Sequence, residues 1–95
     1  MGYTKIIMSK ISPKTKHFFS YRAIIEPDAK NTFHAYIPAL PGCHTWGNSI
    51  AQARKHLREA ALLYLSSLVE DREHVPQEKG FEFVETFSAE EVKAA

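Results

Sequence analysis

The sequence predicts a small α+β domain in which an antiparallel sheet of three to four strands packs against one long helix, in the order β-β-β-α-β. Apolar and polar side chains alternate in short runs between residues 18 and 46, which is typical of strands. Apolar side chains recur at spacings of three, four and seven across residues 50–73, which is typical of a helix with one buried face. Residues 81–87 alternate again and predict a last strand.

The first three predicted strands form a hairpin with a long loop and a short return. They cover residues 18–26, 33–37 and 43–46, and polar residues separate the first two. The segment 38–42 ends the second strand, because its two prolines have no N–H to donate to a neighbouring strand. Residues 5–11 are expected to form an extra edge strand or an ordered arm.

The predicted helix begins after Ser49, whose hydroxyl has the position and chemistry of an N-cap. Gln52 lies three residues on and completes the pattern of a capping box. The expected core-facing residues are Ile50, Ala53, Leu57, Ala60, Ala61, Tyr64 and Leu68. We expect a single domain over residues 1–95, with an N-terminal arm at 1–17, a core at 18–76, the last strand at 81–87 and a tail at 88–95.

The composition is that of an ordinary globular chain with a net charge of only +1. No apolar run approaches the roughly 18 residues of a membrane span, and the N-terminus makes a poor signal peptide. The single cysteine excludes an internal disulfide framework. We therefore expect a cytoplasmic protein.

The charges are unevenly distributed along the chain. Residues 1–25 carry five bases and no acid, whereas residues 70–95 carry eight acids and three bases. The basic start is a candidate nucleic-acid surface, and the acidic end is a candidate surface for a basic protein; the alternative is two solvated surfaces of opposite sign. The five candidate bases are Lys5, Lys10, Lys14, Lys16 and Arg22.

No known catalytic or metal-binding pattern is present in the sequence. Neither a Gly-rich phosphate loop nor a histidine pair at helical spacing occurs. Cys43 and His44 would point to opposite faces of a strand, so they cannot grip one ion together, and a small buried thiol is the simpler state for Cys43. The first three predicted strands offer only Glu26 and Asp28, both at a loop, and the helix adds Glu59, which is too few for a metal-dependent nuclease. We predict no catalytic residues, no metal and no cofactor.

One stretch is more specific than these general patterns. The sequence "FHAYIPALPGCHTWGNS", followed by "IAQARKHLREAALLYL", resembles the HicB-like antitoxin family. Its members show a strand, a P-x-L-P-G-C turn, a short strand ending in glycine, and a Ser/Thr-capped helix. The matching residues are Pro38, Leu40, Pro41, Gly42, Cys43, Gly47 and Ser49. The likeness covers residues 18–76, with Ala39 and Gln52 standing where acids are usual.

The resemblance implies both a fold and a partner. The fold is a partial ribonuclease H-like sheet, and the partner is a small, basic, RNA-cleaving toxin of the HicA type that the antitoxin covers. Many members continue into a DNA-binding domain, but only eight residues follow residue 87, so a short form without that domain is expected. In this reading, segment 38–47 is architectural and carries no reaction.

An inhibitor of a basic toxin should present aromatic and acidic surface. The candidates are the acidic stretch at residues 70–91 and the strand residues His34, Tyr36, His44 and Trp46, although these four could equally lie under the helix. The surplus of apolar residues on the helix and last strand predicts a homodimer or homotetramer, unless they fill the monomer core. The alternative function is a stand-alone module that binds nucleic acid through the five N-terminal bases.

Overall fold

A computed structural model describes residues 18–95 of the chain; the predicted arm at 1–17 lies outside this range. The strands are β1 (Ile24–Asp28), β2 (Thr32–Tyr36) and β3 (His44–Gly47), and the helices are α1 (Ile50–Glu70) and α2 (Ala89–Ala94). The three strands form one antiparallel sheet in the order β1-β2-β3, and α1 packs across it. The predicted α+β fold with three strands and one long helix is confirmed.

A short 3₁₀ turn, Ala29–Asn31, joins β1 to β2. Asp28 Oδ1 accepts a hydrogen bond from the Ala29 N–H at 2.8 Å, and the Thr32 hydroxyl donates to the Ala29 carbonyl at 2.9 Å. Lys30 and Asn31 both have positive φ, which lets the chain reverse within a few residues. β1 starts at Ile24, later than predicted, because residues 21 and 22 bond to the C-terminal segment instead of to a strand.

The turn between β2 and β3 is built around one buried side chain. Leu40 is 1% exposed and belongs to the core cluster. Its N–H donates to the Ile37 carbonyl at 3.0 Å, and its carbonyl accepts from the Cys43 N–H at 3.0 Å. Gly42 has φ of +83°, a conformation that side chains disfavour. The proline-rich turn therefore buries Leu40 in the core and reverses the chain direction, so that β3 follows antiparallel to β2.

Gly47 lies where β3 meets the start of α1. A Cβ built at this position would stand 2.4 Å from the Ala53 backbone nitrogen and 2.7 Å from its Cα. Ser49 Oγ accepts the Gln52 N–H at 3.0 Å, as predicted, but the Gln52 side chain accepts from the Asn48 N–H at 2.6 Å. The capping box therefore forms with its second bond shifted one residue towards the N-terminus.

Helix α1 ends at Glu70, three residues earlier than the predicted Glu73. The Glu73 N–H donates to the Leu68 carbonyl at 2.8 Å and the Arg72 N–H to the Val69 carbonyl at 3.1 Å, the two bonds of a Schellman motif. Arg72 takes the left-handed conformation, with φ of 56°, at the place where glycine is usual. The end is set by this backbone motif, which periodicity does not reveal.

The predicted last strand at residues 81–87 is wrong, because the structure assigns no strand there. A strand needs a neighbouring edge to pair with, and residues 81–87 pair with none of β1, β2 and β3. The chain before this segment is held by side chains instead. The Tyr21 hydroxyl donates to the Pro76 carbonyl, and Glu78 accepts from the Arg22 backbone N–H at 2.9 Å and from its Nε at 3.1 Å.

The core between sheet and helix is small. Its buried members are Ala35, Ile37, Leu40, Cys43, Ala53 and Leu57. Among the helix residues predicted to face the core, Ala60, Ala61 and Tyr64 pack partly against this cluster. Ile50 is mostly exposed because it occupies the first helical turn. Within residues 18–95, no helix has both the length and the apolar composition needed to cross a membrane.

Candidate partner-binding face

The side of the sheet that faces away from α1 carries the four aromatic and histidine residues predicted from strand parity. His34 pairs with Trp46, and Tyr36 pairs with His44, across β2 and β3. Directly paired residues of antiparallel strands lie on the same face. Their neighbour Ala35, of opposite parity, is fully buried in the core against the helix. We call this surface the outer face; the four residues do not lie under the helix.

The four rings of the outer face contact one another. His34 stacks on Trp46 with centroids 4.8 Å apart and on Tyr36 at 5.2 Å. His44 meets Trp46 edge-on at 5.1 Å and His34 at 5.5 Å. Stacked and edge-to-face contacts at these distances are favourable. The rings therefore form a pre-organised aromatic surface on the rigid strands.

Two carboxylates share this face. Glu26 pairs with His34 across β1 and β2, so it lies on the same side of the sheet, and Asp28 Oδ2 accepts the Trp46 Nε1–H at 2.8 Å. The Ala29 backbone N–H, and then Trp46, hold the pKa of Asp28 below its ordinary value. Trp46 is 47% exposed even with this bond. The outer face thus combines exposed ring surface with negative charge.

A shallow hollow of about 410 Å³ extends the outer face towards the β2–β3 turn. Pro38 and Pro41 of the turn line it together with Tyr36 and His44 of the strands. Exposed aromatic rings beside a concave apolar wall have the composition that dominates protein–protein binding energy. The hollow therefore suits a protruding side chain of a protein partner.

The remaining candidate chemistry does not assemble. Burial raises the pKa of the Cys43 thiol, which disfavours the reactive thiolate, while His44 points to the opposite face. Among residues 18–95, no group of three or more histidine, cysteine or acidic side chains could hold a metal ion.

The candidate nucleic-acid bases are only partly described by the structure. The four lysines, Lys5, Lys10, Lys14 and Lys16, lie outside the described residues. Arg22 forms ion pairs with Glu78 at 3.1 Å and Glu82 at 3.3 Å. Its charge is therefore already compensated within the chain.

The acidic stretch at residues 70–91 divides into bonded and exposed acids. Glu78 and Glu82 hold Arg22, and Glu91 accepts the Ser88 N–H at 2.8 Å in the capping box of α2. Hydrogen bonds from the backbone N–H groups of Arg22 and Gly80 lower the pKa of Glu78. Glu78 therefore fixes the C-terminal segment to the start of the domain, a role that pattern reading missed because 56 residues separate the partners.

Comparisons with known proteins agree with this architecture. Residues 21–92 match the family model described as the HicB-like antitoxin of bacterial toxin–antitoxin systems. The chain is 33% identical over 63 residues to a UPF0150 protein of Synechocystis, covering 66% of this chain and 80% of that protein. It is 34% identical over 62 residues to one of Thermoplasma acidophilum, covering 65% and 90%.

A solved structure supports the same assignment. The N-terminal domain of the Burkholderia pseudomallei antitoxin HicB superposes with a TM-score of 0.50 at 28% identity, covering 76% of each chain. The family model spans the hairpin, the proline turn, the capped helix and the C-terminal segment in a single match. This chain belongs to the HicB-like antitoxin family of bacterial toxin–antitoxin systems.

Proposed function

We propose that this protein binds and neutralises a small, basic, RNA-cleaving toxin of the HicA type, and that it does so as a non-catalytic inhibitor in the cytoplasm. The observation that carries the proposal is the outer face, where aromatic rings, histidines and two carboxylates lie together on rigid strands. A toxin that holds RNA presents lysine and arginine side chains towards phosphate. The outer face offers those cations an alternative ligand.

Each component of the outer face fits part of a cationic side chain. Glu26 and Asp28 provide charge-assisted acceptors, and arginine makes paired bonds to a carboxylate. The exposed ring of Trp46 and the half-buried ring of Tyr36 accept a guanidinium or ammonium over their faces. The exposed acids of residues 70–91 add long-range attraction that speeds the encounter with a basic partner. Inhibition in this mechanism is occupation of the RNA-binding surface.

We also propose that the protein self-associates as a homodimer or homotetramer. Apolar side chains on α1 and on residues 81–87 remain uncovered, and exposed apolar surface of this extent marks an interaction site. The alternative, that these residues fill the monomer core, loses support because Phe81, Phe83 and Phe87 are all exposed.

Co-expression with the toxin tests the proposed function. If a small basic toxin is encoded beside this chain, cells that carry it should resume growth when this protein is made. Glu26→Lys places a like charge opposite the basic toxin, and Trp46→Ala removes the largest ring, so each should abolish the rescue. Leu63→Ser removes an exposed apolar side chain from α1 and should leave the rescue intact.

The contrary results are equally specific. Absence of rescue by the unchanged protein would end the inhibitor proposal. Rescue that survives both outer-face variants would move the toxin contact to the acidic stretch. Circular dichroism of each variant establishes that it is folded.

The nucleic-acid alternative makes a separate prediction. If the protein binds RNA or DNA through Lys5, Lys10, Lys14, Lys16 and Arg22, binding should weaken steeply with salt and disappear when these bases are replaced. Arg22 already forms an ion pair with Glu78, which counts against a contribution of Arg22 to nucleic-acid binding. A filter-binding measurement on the purified chain, across a salt series, decides it.

A further inference from the structure

Residues 81–87, which we call the C-terminal arm, leave the domain with their apolar side chains uncovered. Phe81, Phe83, Val84 and Phe87 are between 68% and 94% exposed. The chain just before the arm is fixed by the Glu78–Arg22 ion pair, and Glu82 within the arm also bonds to Arg22. The arm is therefore anchored at its base while its aromatic side chains face solvent.

A second, partly uncovered surface lies along one side of α1, where Leu62 is exposed while Leu65 and Val69 are half-buried. Arg54, Arg58, Leu62, Leu65 and Val69 fall within about 80° of one another at 100° per residue, so they form a single stripe. We call it the helix stripe. Leu62, Leu65 and Val69 line an open groove of about 640 Å³ together with Phe19. Arg54 and Arg58 are exposed and make no ion pair within residues 18–95.

The arm and the stripe are complementary in length. Seven residues, when extended, span about 23 Å at 3.3 Å per residue. The helix stripe runs from Arg54 to Val69, which is about 22 Å at 1.5 Å per residue. One arm therefore covers one stripe from end to end.

The two surfaces are also complementary in chemistry. The arm carries its three phenylalanines together with the acids Glu82 and Glu85. The stripe combines aliphatic side chains in its C-terminal half with arginines in its N-terminal half. Apolar surface thus meets apolar surface, and Arg58 of the stripe meets the carboxylate of Glu85.

We infer that the arm of one copy docks along the helix stripe of a second copy, and that the two copies exchange arms reciprocally. This inference deepens the self-association proposed above. A reciprocal exchange is a closed two-fold arrangement, because each copy supplies one arm and one stripe. Taking about 150 Å² for each of the three phenylalanines and as much again on the stripe that they cover, two such contacts bury roughly 1,800 Å² in total, above the roughly 1,200 Å² that a specific interface needs.

Sedimentation velocity of the full chain, purified without any toxin, tests the arm exchange. The unchanged protein should sediment as a dimer of 10.8 kDa chains. The double variant Phe81→Ser/Phe83→Ser and the stripe variant Leu62→Ser should each raise the dimer dissociation constant at least about tenfold, as expected for residues at the centre of an interface. Leu63→Ser, on a different side of α1, is the matched control and should leave the dimer unchanged.

Charge reversal gives a second readout that does not depend on apolar surface. Arg58→Glu and Glu85→Lys should each weaken the dimer, and their combination should recover part of the loss because opposite charges meet again.

A monomer at all micromolar concentrations would overturn both the arm exchange and the self-association. A dimer that ignores the arm and stripe variants would overturn the arm exchange alone, and loss of toxin rescue by the arm variants with an unchanged dimer would assign the arm to the toxin.

Discussion

Two regions of the molecule are held by different kinds of interaction. The first is the β2–β3 turn with the start of α1, and the second is the C-terminal segment after α1. In the first region, each structural role depends on residues that are close in the sequence. Leu40 is held in a tight turn and fills the core, Gly47 allows a close backbone contact with Ala53, and Ser49 caps the helix. In the second region, the alternation of residues 81–87 produces no strand, and the chain is held by bonds to residues 21 and 22. A local motif is satisfied by its own neighbours, whereas an alternating segment needs an edge supplied from elsewhere.

The largest effect should come from Gly47→Ala. Its Cβ would stand 2.4 Å from the Ala53 backbone nitrogen, and backbone cannot move aside as a side chain can. Overpacking typically costs about 1–3 kcal/mol and more where backbone meets backbone, so we expect a loss of about 3 kcal/mol or more, a large part of the stability of a small domain. Urea denaturation measures the free energy of unfolding. Gly42→Ala is the matched control, because it meets only the left-handed backbone penalty of about 1 kcal/mol with open space around it; equal losses at the two positions would contradict the close contact.

A somewhat smaller loss should follow Leu40→Ala. Leu40 is the largest fully buried side chain of the described residues, and its removal leaves a cavity between the turn and the helix. Leucine-to-alanine changes in cores cost about 2–5 kcal/mol. The neighbouring change Pro41→Ala, at an exposed position, is the control for the turn itself. A loss from Leu40→Ala no greater than that from Pro41→Ala would show that Leu40 does not anchor the turn.

The Glu78 anchor predicts a dependence of stability on pH. Hydrogen bonds from the backbone N–H groups of Arg22 and Gly80 lower the folded-state pKa of Glu78 from 4.5. Its contribution is therefore fully present above pH 4.5 and is lost as the pH falls through the lower folded-state value. Thermal unfolding across this range should show a shallower pH dependence in Glu78→Gln than in the unchanged protein. Glu59→Gln, on the exposed side of α1, should retain the original slope; identical slopes in all three proteins would refute the anchor.

The smallest effect should be a gain in stability. Arg72 holds the left-handed position of the Schellman motif, with φ of 56°. Glycine adopts this conformation without the steric cost of a Cβ, so Arg72→Gly should stabilise the protein by about 0.5–1 kcal/mol. Urea denaturation should resolve this gain, whereas Arg72→Ala, which keeps the Cβ, should produce none. A loss in the glycine variant would mean that the Arg72 side chain itself contributes more than the backbone strain costs.

The outer face shows how far strand parity can be taken. Alternation along the strands predicts that His34, Tyr36, His44 and Trp46 share one side of the sheet, and the structure has all four there. Parity alone did not reveal that Glu26 and Asp28 join them, because that depends on the register between β1 and β2. The register is set by a turn with two consecutive positive-φ residues, Lys30 and Asn31, neither of which is glycine.

The sequence by itself determined the hairpin, the proline turn, the capped helix and the family, because each rests on residue types at fixed short spacings along the chain. Only the tertiary structure decided the end of α1 at Glu70, the loss of the last strand and the capture of Arg22 by Glu78. These outcomes depend on which distant groups come within hydrogen-bonding distance of one another. Spacing along a chain carries no information about that distance until the helix and the sheet have packed together.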